Sequence, residues 1–546
     1  MARMTGGEAL VGQLVREGAR VVFGLPGVQL YGVVAALRDE PRIRLLTTRH
    51  EQATGYMADG YARAGGDFGV ALVVPGPGLL NASAGLSTAY ACSSPVLMIS
   101  GQVPRASLGR RIGVLHEVDD QLDCIAPVTK WRRRVLEVAD VPAAVHEAVR
   151  QLKTGRPRPV EIEMPPETME DEGDAELLAP DHPPRPPAPP REIDRAADLL
   201  LAAERPVVYA GGGVHLSGAH EVLAAVADHL QAGVIESAEG KGAVSHASEI
   251  ALGAALAWQG PLRRHLLAAD VILAVGTRFA VAAPRPEQPV VQVDIDPEEI
   301  GRNHAKTLGL VGDARATLER LLERLRAAAP PRGSRKAEYQ ALREEIAATD
   351  TQEPASSFVR ALRAAIPEET IVVTDMTQVG YYARPFWPVY RPRTFLTSSY
   401  SGNLGYAYPT ALGAKVACPE RPVLAICGDG GFLYNVQELS TAAQHGIAVV
   451  TVVFNDGAYG NVARDLDEAW GGAYAAALQN PDFMKLAEAF GVLGLRAKDA
   501  TETGRLVREA LAAERPALVE VPVGRMPRPA FFPPRRKPTR YQATAG

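Results

Sequence analysis

Short apolar runs, each stopped by glycine, recur along this chain and alternate with stretches of helical period. VVFGLPG (residues 21–27), GVALVVPGPG and PVLMISG occupy the first third. RPVVYAGGGV, DVILAVGTRF and PVVQVDIDPEEIG occupy the middle. TIVVTDMTQVG, VLAICGDG, AVVTVVFND and ALVEVPV occupy the last. Unbroken apolar runs ended by turn residues suit strands buried on both faces, as in parallel sheets. The helical stretches between them supply the crossovers that parallel strands need. The pattern predicts three α/β domains, each a doubly wound parallel sheet. Thr5 and Glu8 form a capping box before the first helix, ALVGQLVREG.

Two Pro-rich breaks divide the pattern. APDHPPRPPAPPR (residues 179–191) cannot form helix or sheet and reads as an extended linker. AAAPPRGSRK (residues 327–336) is a shorter break. The expected division is an N-terminal domain at 1–178, a linker at 179–191 and a central domain at 192–328. A second linker at 329–350, a C-terminal domain at 351–530 and a loosely ordered tail at 531–546 follow.

Composition narrows the classes. At 546 residues the chain exceeds one core. It is 47% hydrophobic and 22% charged, with a net charge of −5, and gives no sign of a nucleic-acid partner. No run approaches a membrane span of about 18 apolar residues, so no membrane partner is expected. Cys92, Cys124, Cys418 and Cys427 lack metal-ligand spacing and read as free thiols in a reducing compartment. The N-terminus lacks a charged-then-apolar signal layout, so a cytoplasmic location is the default.

The chemistry concentrates in the last third. VLAIC ends at Gly428-Asp429-Gly430-Gly431, and AVVTVVF ends at Asn455-Asp456-Gly457. Read as strand, helix, strand, this crossover brings Asp429 and Asp456 to one sheet edge. Two hard oxygen ligands beside glycines suit Mg²⁺ holding a diphosphate.

This motif resembles that of the thiamine-diphosphate-dependent enzymes. The order of three α/β domains resembles their acetolactate-synthase-like branch, from Thr5 to about Val523. The resemblance implies pyrimidine-binding, nucleotide-binding-like and diphosphate-binding domains in that order. It implies metal ligation by Asp429, Asp456 and the Ala458 carbonyl, with Tyr459 beside the cofactor. Asp456 stands where the family usually has Asn.

By the same resemblance Glu51, in TTRHEQATGYMADGYARAGG, is the catalytic acid at the pyrimidine. By itself it also reads as a first-turn residue of a helix. Gly76 and Asn81, in VVPGPGLLNASAG, fall at the cofactor or the subunit boundary. Asn81 has the alternative of capping the following helix. Gly402 and Leu404, in TSSYSGNLGY, fall where a bulky apolar side chain wedges the cofactor rings apart. Gln378 lies near the diphosphate or substrate.

The implied substrate pocket contains Gly27, Val28, Leu115, His116 and Asn461. Val28 replaces a second glycine, and either narrows the pocket or simply packs. His116 replaces a family Gln, and either handles a proton or serves structure. Asn461 replaces a family Met. The implied reaction decarboxylates a 2-oxo acid such as pyruvate and adds its acyl unit to a second carbonyl. Simple decarboxylation is the alternative, and a non-catalytic regulatory relative is the reading from another class. A homodimer or homotetramer with active sites between chains is implied. GGGVHLSG (residues 211–218) leaves FAD open for the central domain, since it lacks a full G-x-G-x-x-G.

Overall fold

A computed structural model describes residues 2–254 and 259–532. It contains three six-stranded sheets, parallel throughout, joined by helical crossovers. In the first, the strands lie in the order Arg44–Thr47, Val21–Gly24, Gly69–Val73, Val96–Gly101, Val160–Met164, Trp131–Arg134. In the third the order is Phe395–Leu396, Ile371–Thr374, Val423–Gly428, Val450–Asn455, Ala517–Pro522, Leu493–Arg496. These two orders are the same when strands are ranked by position within each domain. The central sheet differs: Ala251–Gly253, Gly233–Glu236, Pro206–Ala210, Val271–Val275, Val290–Asp294, Thr307–Val311. That is the dinucleotide-binding order, with its switch point between Pro206–Ala210 and Val271–Val275.

The sheets form because the inner strands are mostly apolar and buried on both faces, while edge strands such as Trp131–Arg134 and Leu493–Arg496 are only partly buried. The predicted capping box closes at the first helix, Gly6–Arg16. The Thr5 side chain accepts from the Glu8 amide, and the Glu8 carboxylate accepts from the Thr5 amide. The Pro-rich stretch is extended to Pro189, where helix Pro190–Ala202 begins. It is pinned to the central domain, with the Ala188 amide donating to Thr317 Oγ1 at 3.0 Å. The stretch expected as linker 329–350 carries a helix, Lys336–Ala347, whose Tyr339 is buried in the central core. The arm expected from 531 onward lies, past 532, outside the described residues.

One apolar core spans two domains. Phe23, Met57, Leu86 and Met98 of the first share it with Ile371, Leu412, Phe432 and Val453 of the third. Helices Glu51–Ala64 and Ala407–Ala417 cross inside it with almost no side chain between them. A Cβ on Gly60 would stand 2.0 Å from the Thr410 carbonyl oxygen, and one on Gly413 1.9 Å from that of Met57. Among the described residues no helix is long and apolar enough to cross a membrane.

Candidate functional site

In each outer sheet the carboxyl edge gathers the polar loops. At the third sheet, Asp429 follows strand Val423–Gly428 and is 2% exposed. Its Oδ2 accepts from the Gly457 amide at 2.9 Å and from Asn480 Nδ2 at 2.6 Å. Asp456 lies half-buried beside it after strand Val450–Asn455. Burial, then the neighbouring Asp429 carboxylate, push the Asp456 carboxyl up to about 6. The loop that follows is clamped: Leu478 N donates to Gly457 O at 2.7 Å and Tyr459 N to Ala476 O at 2.8 Å. Asn480 also donates to Asn455 Oδ1 at 2.8 Å, while its own oxygen is buried without a partner.

Asp375 follows the neighbouring strand, Ile371–Thr374, and accepts from the Met376 amide at 2.8 Å and the Gly405 amide at 3.1 Å. Burial pushes it up to about 6. Its bond to Gly405 anchors the Gly402–Leu404 loop. Asn403 in that loop donates to the Tyr56 hydroxyl at 3.1 Å, reaching the first domain. Leu404 is half-buried and belongs to none of the packed cores of the described residues. Gln378 starts helix Gln378–Phe386 and accepts from Arg464 Nη1 at 3.0 Å. Arg464 also donates to the Asn461 side chain, so Gln378 and Asn461 share one guanidinium.

At the first sheet, Glu51 opens helix Glu51–Ala64. Its Oε2 accepts from Asn81 Nδ2 at 3.0 Å. Asn81 lies inside helix Pro77–Cys92, whose N-cap position is Gly76, so its side chain does not cap that helix. The approach to Glu51 is held from the third domain. Glu438 is fully buried and accepts from the amides of Arg49 at 3.2 Å and His50 at 3.0 Å.

The pocket residues of the first domain meet around Gly76. Its φ of +56° requires glycine, and a Cβ there would stand 2.2 Å from the His116 carbonyl oxygen. Its amide donates to buried Gln121 at 2.7 Å. His116 itself has φ +68° and pairs through Nδ1 with Gln29 Oε1 at 3.2 Å. Gln29 donates in turn to the Leu115 carbonyl at 3.3 Å. Gly27 packs against Val74 of the Gly76 loop, while Val28 and Leu115 are 53% and 59% exposed.

Three groups therefore form: Glu51 with Asn81; Gly27, Val28, Gly76, Leu115 and His116; and the Asp429–Asp456 edge with Gln378, Asn461 and Tyr459. No hydrogen bond or ion pair among the described residues joins Glu51 to the Asp429 edge. Gln29, Gln121, Glu438 and Asn480 escaped the sequence reading. Only Asn480 left a local trace, in NPDF, where Asp482 caps helix Phe483–Ala489.

The acidic edge fits a divalent cation. Two adjacent carboxylates that resist joint ionisation are a hard oxygen donor pair, and backbone carbonyls and phosphate oxygens complete such a set. Among the described residues no cluster of three or more His, Cys, Asp or Glu side chains could hold a metal, so the remaining ligands come from elsewhere.

The central domain carries a cleft of about 310 Å³ at its switch point. Gly212, Gly213, Arg278, Asp294, Asp313 and Tyr400 lie on its walls. The Gly211 amide donates to Val275 O and the Gly213 amide to Gly276 O, both at 2.9 Å, so the two loops close against each other.

Comparison with known proteins agrees with this layout. Residues 4–124 match the thiamine pyrophosphate enzyme N-terminal TPP binding domain. Residues 193–321 match the family's central domain, and residues 375–521 its C-terminal TPP binding domain. A probable acetolactate synthase large subunit of Methanocaldococcus jannaschii is 34% identical over 95% of this chain and 92% of its own. A probable 2-ketoarginine decarboxylase of Pseudomonas aeruginosa is 35% identical over 95% of this chain and 94% of its own. Acetolactate synthase isozyme 3 large subunit of Escherichia coli is 32% identical over 94% and 93%. With all three domains matched in order, this chain belongs to the thiamine pyrophosphate enzyme family and is a thiamine-diphosphate-dependent enzyme.

Proposed function

We propose that the protein is a carboligase of acetolactate synthase type, decarboxylating a 2-oxo acid such as pyruvate and joining its acyl unit to a second carbonyl. The observation that carries this reading is Glu51, fixed through Asn81 on one side and through Glu438 at its backbone approach on the other. Thiamine diphosphate, when bound, would supply the carbon acid that this chemistry needs. Glu51 holds and returns a proton at the pyrimidine, and Asn81 orients its carboxylate. Asp429, Asp456 and the Ala458 carbonyl would hold Mg²⁺, and Gly428, Gly430, Gly431 and Tyr459 would line the diphosphate site. Leu404 and Gly402 shape the loop between the rings. Gln29 holds His116 at the pocket rim beside Val28 and Leu115, where His116 exchanges a proton or binds the substrate carboxylate.

The working form is a homodimer or homotetramer. No hydrogen bond or ion pair among the described residues joins Glu51 to the Asp429 edge of its own chain. Apolar side chains stand exposed beside both groups: Val28, Leu80 and Leu115 on one, Tyr434 and Val462 on the other. Such patches suit an active site closed by a second copy. FAD fits the central cleft by fold and position, with Asp294 on its wall at the end of strand Val290–Asp294. Four cysteines without a disulfide support the cytoplasm.

Simple decarboxylation is the second reading. It is favoured by the decarboxylase-named relative, as similar as the synthases. Asn461, held behind the pocket by Arg464, also replaces a methionine of the synthase pattern, and Asp465 lies near the position of its tryptophan. Incubation with a panel of 2-oxo acids, with thiamine diphosphate and Mg²⁺ and with or without FAD, separates the two. Acyloin or 2-hydroxy-2-alkyl acid is the expected product; free aldehyde alone rejects the carboligase. No turnover of any 2-oxo acid rejects both and leaves the non-catalytic relative.

A further inference from the structure

A second cavity, of about 210 Å³, adjoins the central cleft and shares Cys92, Arg185, Gly212 and Glu239 with it. All three domains and the Pro-rich linker contribute to its walls. Its charged lining is Arg63, Asp67, Lys153, Arg185, Glu239 and Arg393. Four cations against two carboxylates leave a surplus of two positive charges.

The cations are unequal. Arg63 is satisfied, with Asp59 at 3.3 Å and Glu239 at 2.8 Å. The other three have no ion pair among the described residues. Arg393 Nη2 donates to the His215 carbonyl at 2.8 Å, and Arg185 Nη1 to the Leu216 carbonyl at 3.2 Å. The Lys153 ammonium lies 5.9 Å from the Phe68 ring centroid. His215 adds no charge, since burial, then His220, push it down to about 3. Two guanidinium groups and an ammonium, each held only by a carbonyl or a ring, keep donors for a compact anion.

We propose that this three-domain recess binds a phosphate dianion, either free or as the terminal phosphate of a nucleotide lying in the adjoining cleft. Its oxygens take the spare donors of Arg393, Arg185 and Lys153. The occupant thereby ties the third domain, the linker and the first domain together. This inference is independent of the thiamine chemistry.

The test is titration calorimetry on the full chain with sodium phosphate, against sodium chloride at matched ionic strength. ADP and adenosine follow. Phosphate is expected to bind and to raise the melting temperature. Lys153→Glu and Arg393→Met are each expected to weaken it by roughly tenfold or more, with thiamine diphosphate binding unchanged. An ADP advantage over adenosine that disappears in the variants identifies the nucleotide as the source; an unaffected ADP advantage with weakened phosphate identifies free phosphate. If Arg393→Met fails to fold, Lys153→Glu decides, because its side chain is partly exposed at a helix end. The absence of both a phosphate response and an ADP advantage overturns the proposal. So does unchanged affinity in the variants.

Discussion

The first and third sheets share one strand order and put opposite chemistries on the same edge. At the first, the Glu51 carboxylate is steadied by a neutral side chain, Asn81, with Gln29 and Gln121 bracing the loops nearby. At the third, Asp429 and Asp456 lie side by side and Asp375 ends the neighbouring strand; burial pushes Asp375 up to about 6, and burial with the Asp429 charge does the same to Asp456. Identical scaffolds thus leave function to the loops. One edge is built to hold and move one proton. The other accumulates negative charge that only a cation relieves.

The sharpest way to break this contrast is at its acidic minimum. Glu51→Gln keeps the hydrogen bond from Asn81 and removes the titrating proton. Turnover with a 2-oxo acid should fall by roughly 10²–10⁴-fold, with an unchanged melting temperature. Full activity would mean that the first edge has no acid–base role.

The crowded edge should fail differently. Asp429→Asn retains an acceptor for the Gly457 amide but removes one of the two carboxylates. The Mg²⁺ concentration needed for half-maximal cofactor binding should rise by roughly tenfold to a hundredfold. Fluorescence titration checks this, and an unshifted curve would place the cation elsewhere.

A third test probes the raised carboxyls without cofactor or metal. The Asp375 pKa is about 6 in the folded chain against 3.8 ordinarily, so the folded state holds its proton longer than the unfolded one. That contribution to stability is present below about pH 4 and is lost as pH rises through 6. Its size is roughly 3 kcal/mol at most. Melting curves between pH 4 and pH 7 should fall less steeply for Asp375→Asn than for the parent.

The smallest effect belongs to the pocket rim. Gln29→Ala frees the His116 ring and the Leu115 carbonyl. The KM for the 2-oxo acid should rise by a few fold, about 1 kcal/mol for one lost hydrogen bond, with kcat nearly kept. A kcat loss as large as that of Glu51→Gln would make His116 an essential proton carrier.

Local pattern carried the architecture well. Apolar runs stopped by glycine marked the strands, and VLAIC before Gly428 and AVVTVVF before Asn455 lie on adjacent paired strands. The helix between those two strands begins only at Glu438, because Asn435 turns inward to donate to the Gly405 carbonyl at 2.7 Å. The braces were illegible for a physical reason. Glu438 meets His50 across 388 residues and Asn480 meets Asp429 across 51. Such pairs leave no period in the sequence. Likewise, nothing near Cys92, Lys153 or Arg393 in the chain announced a shared recess.

The apolar core common to the outer domains has a consequence for how the chain comes apart. Each outer domain has a core of its own on one face of its sheet and shares the other, so opening either exposes part of its neighbour's interior and the two should unfold as one cooperative unit. The central sheet keeps its own interior. Calorimetry should resolve two transitions rather than three, and limited proteolysis should release the middle of the chain as its own stable piece. During synthesis the first domain must wait, half finished, for residues made hundreds of positions later.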